Sequence, residues 1–158
     1  MMNLTSLPVT HRAVIPEVYL DEMGHMNVMW YTHLFSCAAE GLFHSLGMTR
    51  AYFEANQTGT FALELHVRHL VEVLVGSHIT IRSRLLGRSA KRFHFMHFMV
   101  LDDSATLAAT EEAVGTHVDL RIRRGSPLPA HVTKEFDRLL AVHAALPWEA
   151  PVCGVMKP

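Results

Sequence analysis

The sequence predicts one α+β domain in which a curved antiparallel sheet wraps around a long helix. Three observations support this prediction. An apolar helical pattern runs from Asn27 to Leu46, four strand-like stretches follow Gly59, and the connections between them are short. An apolar helix and a β-rich half bury their apolar faces against each other in layers. With 158 residues, 49% of them hydrophobic, the chain has room for a single domain, 1–158.

The first half of the chain leads into the long helix. A strand is expected between Pro8 and Tyr19, interrupted near Pro16, because β-branched and polar residues mix there. A loop over 20–26 follows, after which Asn27 is a good helix N-cap and Gly47 a good stop. The apolar surface of this helix is wider than a single stripe, so we expect the helix to be buried centrally.

The second half is rich in strands. After a short helix over 49–56, a turn at Gly59 is expected to begin this half. The separators between strands are short enough for antiparallel hairpins or near-hairpins. An amphipathic helix from Ala130 to Ala145 and a tail from Pro147 should complete the domain. The four predicted strands are Phe61–Leu70, Ser77–Leu86, Arg92–Leu101 and Leu107–Asp119.

Composition argues against several classes of protein. The 14 Lys and Arg nearly balance the 15 Asp and Glu, so no overall field attracts nucleic acid or an anionic membrane. No stretch resembles a signal peptide or a transmembrane helix, so we expect a soluble, cytoplasmic protein. Cys37 and Cys153 stand far apart without a CxxC pattern, which favours reduced, buried thiols over a disulfide or a zinc site.

The twelve histidines raise the question of a metal. Two pairs, His66 with His69 and His94 with His97, are three residues apart within predicted strands. The members of each pair therefore point to opposite faces and cannot share an ion. We predict neither a metal site nor a cofactor.

Polar residues converge where the long helix begins. Its exposed N–H groups, starting at Val28, and its dipole can polarise a carbonyl and stabilise an oxyanion. A carboxylate at Asp21 would either activate a water or attack the carbonyl itself. His25 and Asn27 would orient reacting groups, and Gly24 would allow close backbone approach. Each residue alone also fits a purely structural role, but the whole set indicates a catalytic site.

The run Asp21-x-x-Gly-His-Met-Asn-x-x-x-Tyr31 resembles the signature of the 4-hydroxybenzoyl-CoA thioesterase superfamily, including its acyl-carrier-protein branch. The resemblance implies a hotdog fold that hydrolyses a small acyl-coenzyme A, with Asp21 as the catalytic carboxylate. It also implies a homodimer or homotetramer with active sites at the subunit interface. Two departures concern the subfamily: Gly76-Ser77 replaces a common Gly-Asp pair, and the first strand ends without a second acid.

Within that superfamily, several short runs look most like thioesterases of carnitine breakdown, whose substrate is betainyl-CoA. A trimethylammonium acyl group would favour an aromatic cage, and Trp30, Tyr31, Phe61 and Phe95 are candidates for it, although aromatic residues also serve as plain core. The runs that carry the likeness are Gly24–Asn27, Ala90–His94, Thr116–Asp119 and Ala141–Pro147.

Other charged residues are further candidates. Arg88, Lys91 and Arg92 would meet the nucleotide phosphates of coenzyme A, or would form a solvated turn. Glu64 would either line the acyl pocket or face solvent, because the alternation of side chains along a strand does not decide on which face Glu64 lies. Glu40 ranks below Asp21 and is considered because a separate hotdog branch places its catalytic Glu on the long helix.

Two other functions stay open. A hotdog hydratase or dehydratase also uses an acid followed closely by a histidine, usually with one more residue between them. A non-catalytic acyl-CoA binding module would share the fold without the chemistry. The Gly-His-Met-Asn run after Asp21 favours the thioesterase.

Overall fold

A long helix packs on one face of a six-stranded antiparallel sheet. The computed structural model describes residues 2–158 and confirms the predicted α+β architecture. Short 3-10 turns at Leu4–Ser6 and Glu17–Tyr19 flank the first strand. The elements in chain order are β1 (Val9–Val14), α1 (Val28–Ser45), α2 (Arg50–Asn56), β2 (Thr58–His69), β3 (His78–Arg88), β4 (Arg92–Leu101), β5 (Thr106–Asp119), β6 (Arg124–Gly125) and α3 (Ala130–Ala144).

The strand order corrects one expectation. The sheet runs β1-β3-β4-β5-β2, with β6 on the end of β5, so β2 and β3 do not form a hairpin. The connection over 70–77 is a packed crossover, because Val73 is fully buried and its carbonyl accepts the N–H of Met26. The turn expected at Gly59 is also misplaced, since the left-handed residue is Gln57 (φ 50°) and Gly59 lies inside β2.

Helix α1 is bounded as predicted. The Asn27 side chain accepts the N–H of Met29, and Gly47 takes φ 86° just beyond the last turn. The predicted central burial of α1 is confirmed for one face only, because a single sheet covers one side of the helix. On the uncovered side Val28 is 65% exposed and Met29 60% exposed. The buried face consists of Tyr31, Leu34, Phe35, Ala38, Leu42 and Phe43.

The central strands β4 and β5 are covered on both faces. Helix α1 covers the inner face, and the C-terminal segment covers part of the outer face, where Trp148 packs edge-on against Phe98. Helix α3 closes the core beside β3 through Val132 and Phe136. Strand β2 differs, because it lies at the sheet edge and most of its residues are exposed.

Two expectations from composition concern cysteines and membranes. Cys37 and Cys153 are both free thiols, and each is half-buried rather than fully buried. Among residues 2–158, every helix is too short or too polar to cross a bilayer.

Candidate active site

A tight loop places Asp21 immediately before α1. Leu20 and Met26 form an isolated bridge that closes the loop. Inside it, the N–H of Asp21 donates to the carbonyl of His25, and the N–H of Gly24 donates to the carbonyl of Asp21, both at 3.0 Å. Gly24 adopts φ 83°, a left-handed conformation that glycine takes without strain. The backbone therefore holds Asp21 in place through contacts within seven residues.

The Asp21 carboxylate is partly exposed, at 25%, and only partly engaged. Its Oδ1 accepts the N–H of Met23 at 2.9 Å. Its Oδ2 lies 3.7 Å from Nδ1 of His25, which is longer than a hydrogen bond. One carboxylate oxygen is thus held by the backbone, and the other faces His25.

Asn27 joins this loop to the helix. Its N–H donates to the carbonyl of Tyr19 at 2.9 Å, and its Oδ1 accepts the N–H of Met29 at 3.0 Å. The side-chain oxygen is therefore occupied by capping. The first N–H groups of a helix lack intrahelical acceptors, so the N–H of Val28 is a donor at the positive end of the helix dipole.

A cavity of about 580 Å³ lies between the second half of α1, helix α2, strand β2 and the inner faces of β4 and β5. Three carboxylates line this cavity, those of Glu40, Glu54 and Glu111. At Gly115 an added Cβ would overlap the ring of Phe93, so only glycine lets that ring cross β5. The five aromatic residues that line the cavity are Phe43, Phe53, Phe61, Phe93 and Phe95.

Two of the four aromatic residues predicted to form a cage line the cavity, and two do not. Phe61 and Phe95 line the cavity. Trp30 instead stacks on Tyr19, with ring centroids 3.8 Å apart, and Tyr31 is 4% exposed within the core. Neither Trp30 nor Tyr31 lines the cavity, because their rings pack against the chain's own residues.

Sequence reasoning missed Glu111. The side chain is 3% exposed, its Oε2 has no hydrogen-bond partner within residues 2–158, and burial raises its pKa to about 7. It faces α1, between Ala109 and Ala113 on the same side of β5. The available signal was a pair of adjacent acids, Glu111 and Glu112, inside an otherwise apolar strand.

The buried neighbour of Glu111 across the sheet is His97. Burial lowers the pKa of His97 to about 3, so this imidazole is neutral at ordinary pH. Its Nδ1 lies 2.7 Å from Oγ of Ser83, whereas its Nε2 has no partner among the described residues. His97 therefore supplies no positive charge to balance Glu111.

The basic residues predicted to meet phosphates divide into two groups. Lys91 and Arg92 are exposed where β3 turns into β4. Arg88 is engaged by Asp137 through two hydrogen bonds of 2.6 and 2.7 Å, which raise its pKa. A residue not singled out by sequence, Arg123, places its guanidinium 5.8 Å from the ring centroid of Phe61 at the cavity.

Of the two other candidate acids, Glu40 and Glu64, only Glu40 lines the cavity. Glu40 lines the cavity with its side chain 68% exposed, and one oxygen lies 3.6 Å from His44. Glu64 is exposed on β2, next to a register shift, and does not line the cavity. Its predicted role in the acyl pocket has no geometric support within one chain.

One cluster of possible metal ligands lies on the outer face of the sheet. Atoms of His66, Glu112 and Cys153 come within 4.8 Å of one another. The Glu112 carboxylate already accepts from the backbone N–H of Cys153 at 2.6 Å and lies 2.8 Å from Nε2 of His94. These contacts fasten the C-terminal segment to β5, and the prediction that no metal binds stays a prediction.

Fold and site together define a class of protein. A sheet wrapped on a helix, with a carboxylate loop at the helix start and an aromatic cavity beside the helix, is the arrangement expected of hotdog-fold thioesterases. The model of the Thioesterase-like superfamily matches residues 17–136. The chain belongs to this superfamily.

Two curated relatives are similar over most of this chain. The betainyl-CoA thioesterase of Pseudomonas aeruginosa is 33% identical over 85% of this chain and 84% of its own length. The L-carnitine dehydrogenase/betainyl-CoA thioesterase of Agrobacterium fabrum is 30% identical over 83% of this chain, which corresponds to 27% of that longer protein.

Solved structures confirm the hotdog fold. A Staphylococcus aureus protein in complex with CoA superposes with a TM-score of 0.83 at 22% identity, covering 90% of each chain. A putative thioesterase from Pseudomonas putida gives a TM-score of 0.79 at 24% identity, covering 96% of each chain.

Proposed function

We propose that this chain is an acyl-CoA thioesterase that hydrolyses betainyl-CoA, releasing the trimethylammonium acid and coenzyme A. The observation that carries the proposal is the position of Asp21, held by the backbone just before the start of α1, where the N–H of Val28 has no intrahelical acceptor. Membership of the superfamily supports thioester hydrolysis. The name of the 33% identical relative supports the betainyl group.

The chemistry follows from that position. The N–H of Val28 and the helix dipole stabilise negative charge on the thioester oxygen as the carbonyl is attacked. Asp21 either removes a proton from the attacking water or forms an acyl anhydride that water then cleaves. On both routes the C–S bond breaks, the sulfur leaves as the thiol of coenzyme A, and the acyl group leaves as a carboxylate. His25 faces the free oxygen of Asp21 from 3.7 Å, and Asn27 holds the helix end.

We also propose that two copies associate through β2. This edge strand is twelve residues long, and its Leu63 and Leu65 are 51% and 44% exposed. A long apolar edge is a template for pairing with another chain. Isologous pairing would run the two β2 strands antiparallel, either in a homodimer or as the dimer unit of a homotetramer.

Such pairing would complete the active site. Antiparallel β2 strands bring the two α1 helices side by side in opposite directions. The start of the partner's helix would then lie beside the second half of this α1, which lines the cavity. The partner subunit's Asp21 would reach the acyl group held in this chain's cavity.

The nucleotide of coenzyme A has its own proposed contacts. Lys91, Arg92 and Arg123 are the basic residues left for its phosphates, since Arg88 is paired with Asp137. No nucleic-acid or membrane partner is part of the proposal. A cytoplasmic location is proposed because both cysteines are free thiols, which a reducing compartment maintains.

The test is thiol release from a panel of betainyl, short aliphatic and aromatic acyl-CoA esters. We expect hydrolysis, with the highest kcat/KM for betainyl-CoA. An enoyl-CoA followed at the enoyl absorbance tests the hydratase, and calorimetric binding tests the non-catalytic module. Tight binding of these esters without thiol release, or hydration without hydrolysis, would refute the proposal.

A further inference from the structure

The mechanism leaves one buried acid without a role. Glu111 is almost fully enclosed, one of its oxygens has no partner among residues 2–158, and it lines the cavity. A buried polar group without a partner destabilises a fold, so a site that retains one requires an explanation. Apolar residues of similar size would fill this position at lower cost.

The wall beside Glu111 is aromatic. The ring centroid of Phe43 lies 4.9 Å from that of Phe93 and 5.8 Å from that of Phe95. Phe95 pairs across the sheet with Ala113, which is the next residue after Glu111 on the same face of β5. The backbone of Glu111 therefore lies about 7 Å along β5 from the position opposite Phe95, which is the rise of two residues.

The charges in the cavity favour a cation. Arg50, which lines the cavity on the α2 side, is bound to Glu54 at 2.8 Å. His44 lies near Glu40 at 3.6 Å. Glu111 has no cationic side chain within salt-bridge distance among the described residues, so its charge is left for a ligand to balance.

We propose that Glu111, with Phe43, Phe93 and Phe95, forms a subsite for a quaternary ammonium head on the acyl group. This inference rests on the proposed thioesterase function and gives the physical basis of its acyl preference. A trimethylammonium group has no N–H to donate, so it is recognised by negative charge and aromatic faces. That chemistry explains a carboxylate oxygen with no donor nearby.

Ionisation of Glu111 accompanies binding. In the empty cavity burial raises its pKa to about 7, because water is excluded from the carboxylate. A bound cation offsets that penalty and favours the charged form, so a cationic ester binds best above pH 7. The other titratable groups facing this space are Glu40, His44, Arg50, Glu54 and the neutral His97, with Arg123 farther out over the ring of Phe61.

The test compares two esters of nearly equal shape. Betainyl-CoA and 3,3-dimethylbutyryl-CoA differ in having nitrogen or carbon at the centre of three methyl groups. We expect the wild type to prefer betainyl-CoA. Glu111→Gln should lower kcat/KM for betainyl-CoA by about 10- to 100-fold and leave the neutral ester unchanged or improved. Asp103→Asn, in an exposed turn, is the matched control.

The outcomes separate the two proposals. Equal effects of Glu111→Gln on both esters would overturn the subsite while thioester hydrolysis stands. Wild type that hydrolyses neither ester would overturn both. If Glu111→Gln folds poorly, the wild type alone decides: its preference for betainyl-CoA should rise about fivefold between pH 6 and 7, as the ionised fraction of Glu111 increases. A constant preference over that range would refute the role of Glu111.

Discussion

Two acids serve the proposed site, one at the start of α1 and one on β5 facing α1, and they differ in how the protein builds them. Asp21 sits in a loop closed by neighbours in sequence and keeps a 25% exposed side chain. Glu111 comes from a strand more than sixty residues beyond the helix and is enclosed by other elements. An exposed, oriented carboxylate suits chemistry with water. A dry, unpaired carboxylate suits selection of a charged ligand.

This difference implies that reaction and selectivity can be separated by mutation. Changes at the Asp21 loop should alter turnover for every ester. Changes in the cavity should alter the ranking of esters. The predictions below test this division, beginning with the largest expected effect.

Removing the Asp21 carboxylate should abolish most turnover. Asp21→Asn keeps the side-chain volume and removes the group that activates water or attacks the carbonyl. We expect kcat to fall by about 100- to 10,000-fold for all esters, with little change in KM. Steady-state thiol release measures both constants. Glu22→Gln, at the exposed neighbouring acid, should retain wild-type kcat, and equal losses in both variants would contradict a specific role for Asp21.

Mixing two variants that are each impaired on betainyl-CoA should restore activity if each site uses two chains. In a mixed dimer of Asp21→Asn and Glu111→Gln, one of the two sites combines an intact Asp21 with an intact cavity. Random mixing should therefore recover about a quarter of wild-type activity on betainyl-CoA. Variants co-refolded from denaturant are compared with variants mixed while folded. Activity no higher than the mean of the two parents would place Asp21 and the cavity of one site in the same chain.

Replacing Glu111 should stabilise the empty protein at alkaline pH. Its folded pKa of about 7 lies above the ordinary 4.5, so the wild type loses stability as pH rises from 4.5 through 7. We expect Glu111→Gln to raise the free energy of unfolding by up to about 3 kcal/mol at pH 8. The gain should vanish near pH 3.5, about one unit below the unfolded pKa of 4.5, where the carboxyl is protonated in both states. Urea unfolding at the two pH values measures it, and an equal gain at both would contradict the raised pKa.

The smallest effect is expected at the basic residues near the cavity. Lys91→Ala combined with Arg123→Ala should raise KM for every acyl-CoA by roughly three- to tenfold and leave kcat unchanged. The effect should shrink as salt is added, because exposed charges are screened. Arg138→Ala, an exposed arginine on α3, is the control. A change in kcat without a change in KM would argue against phosphate binding.

Local patterns predicted much of the fold. Helix α1 was expected at Asn27–Leu46 and lies at Val28–Ser45, because its cap and its glycine stop act within a few residues. Strand β4 matches its predicted bounds, Arg92–Leu101. The β2–β3 connection was wrong as a hairpin, since short length permits a hairpin but pairing is decided by packing of the crossover at Val73.

The sequence likewise predicted one part of the candidate site and missed another. The Asp21 loop could be predicted because its hydrogen bonds join residues 20–27 to one another and to nearby groups. Trp30 and Tyr31 do not line the cavity within one chain, and the sequence could not show this, since an aromatic side chain on a helix gives no sign of what it will pack against. Glu111, Phe43 and Phe93 were missed because three separate elements bring them together.

The sequence by itself determined the helix, the strands and the carboxylate at the start of α1, because caps, alternation and turns are short-range effects. Only the tertiary structure decided which strand became the free edge and which acid became buried. The reason is physical: desolvation depends on what surrounds a group in space. The pKa of Glu111 is raised because β4, α1 and their aromatic side chains exclude water, and α1 lies more than sixty residues before Glu111 in the chain.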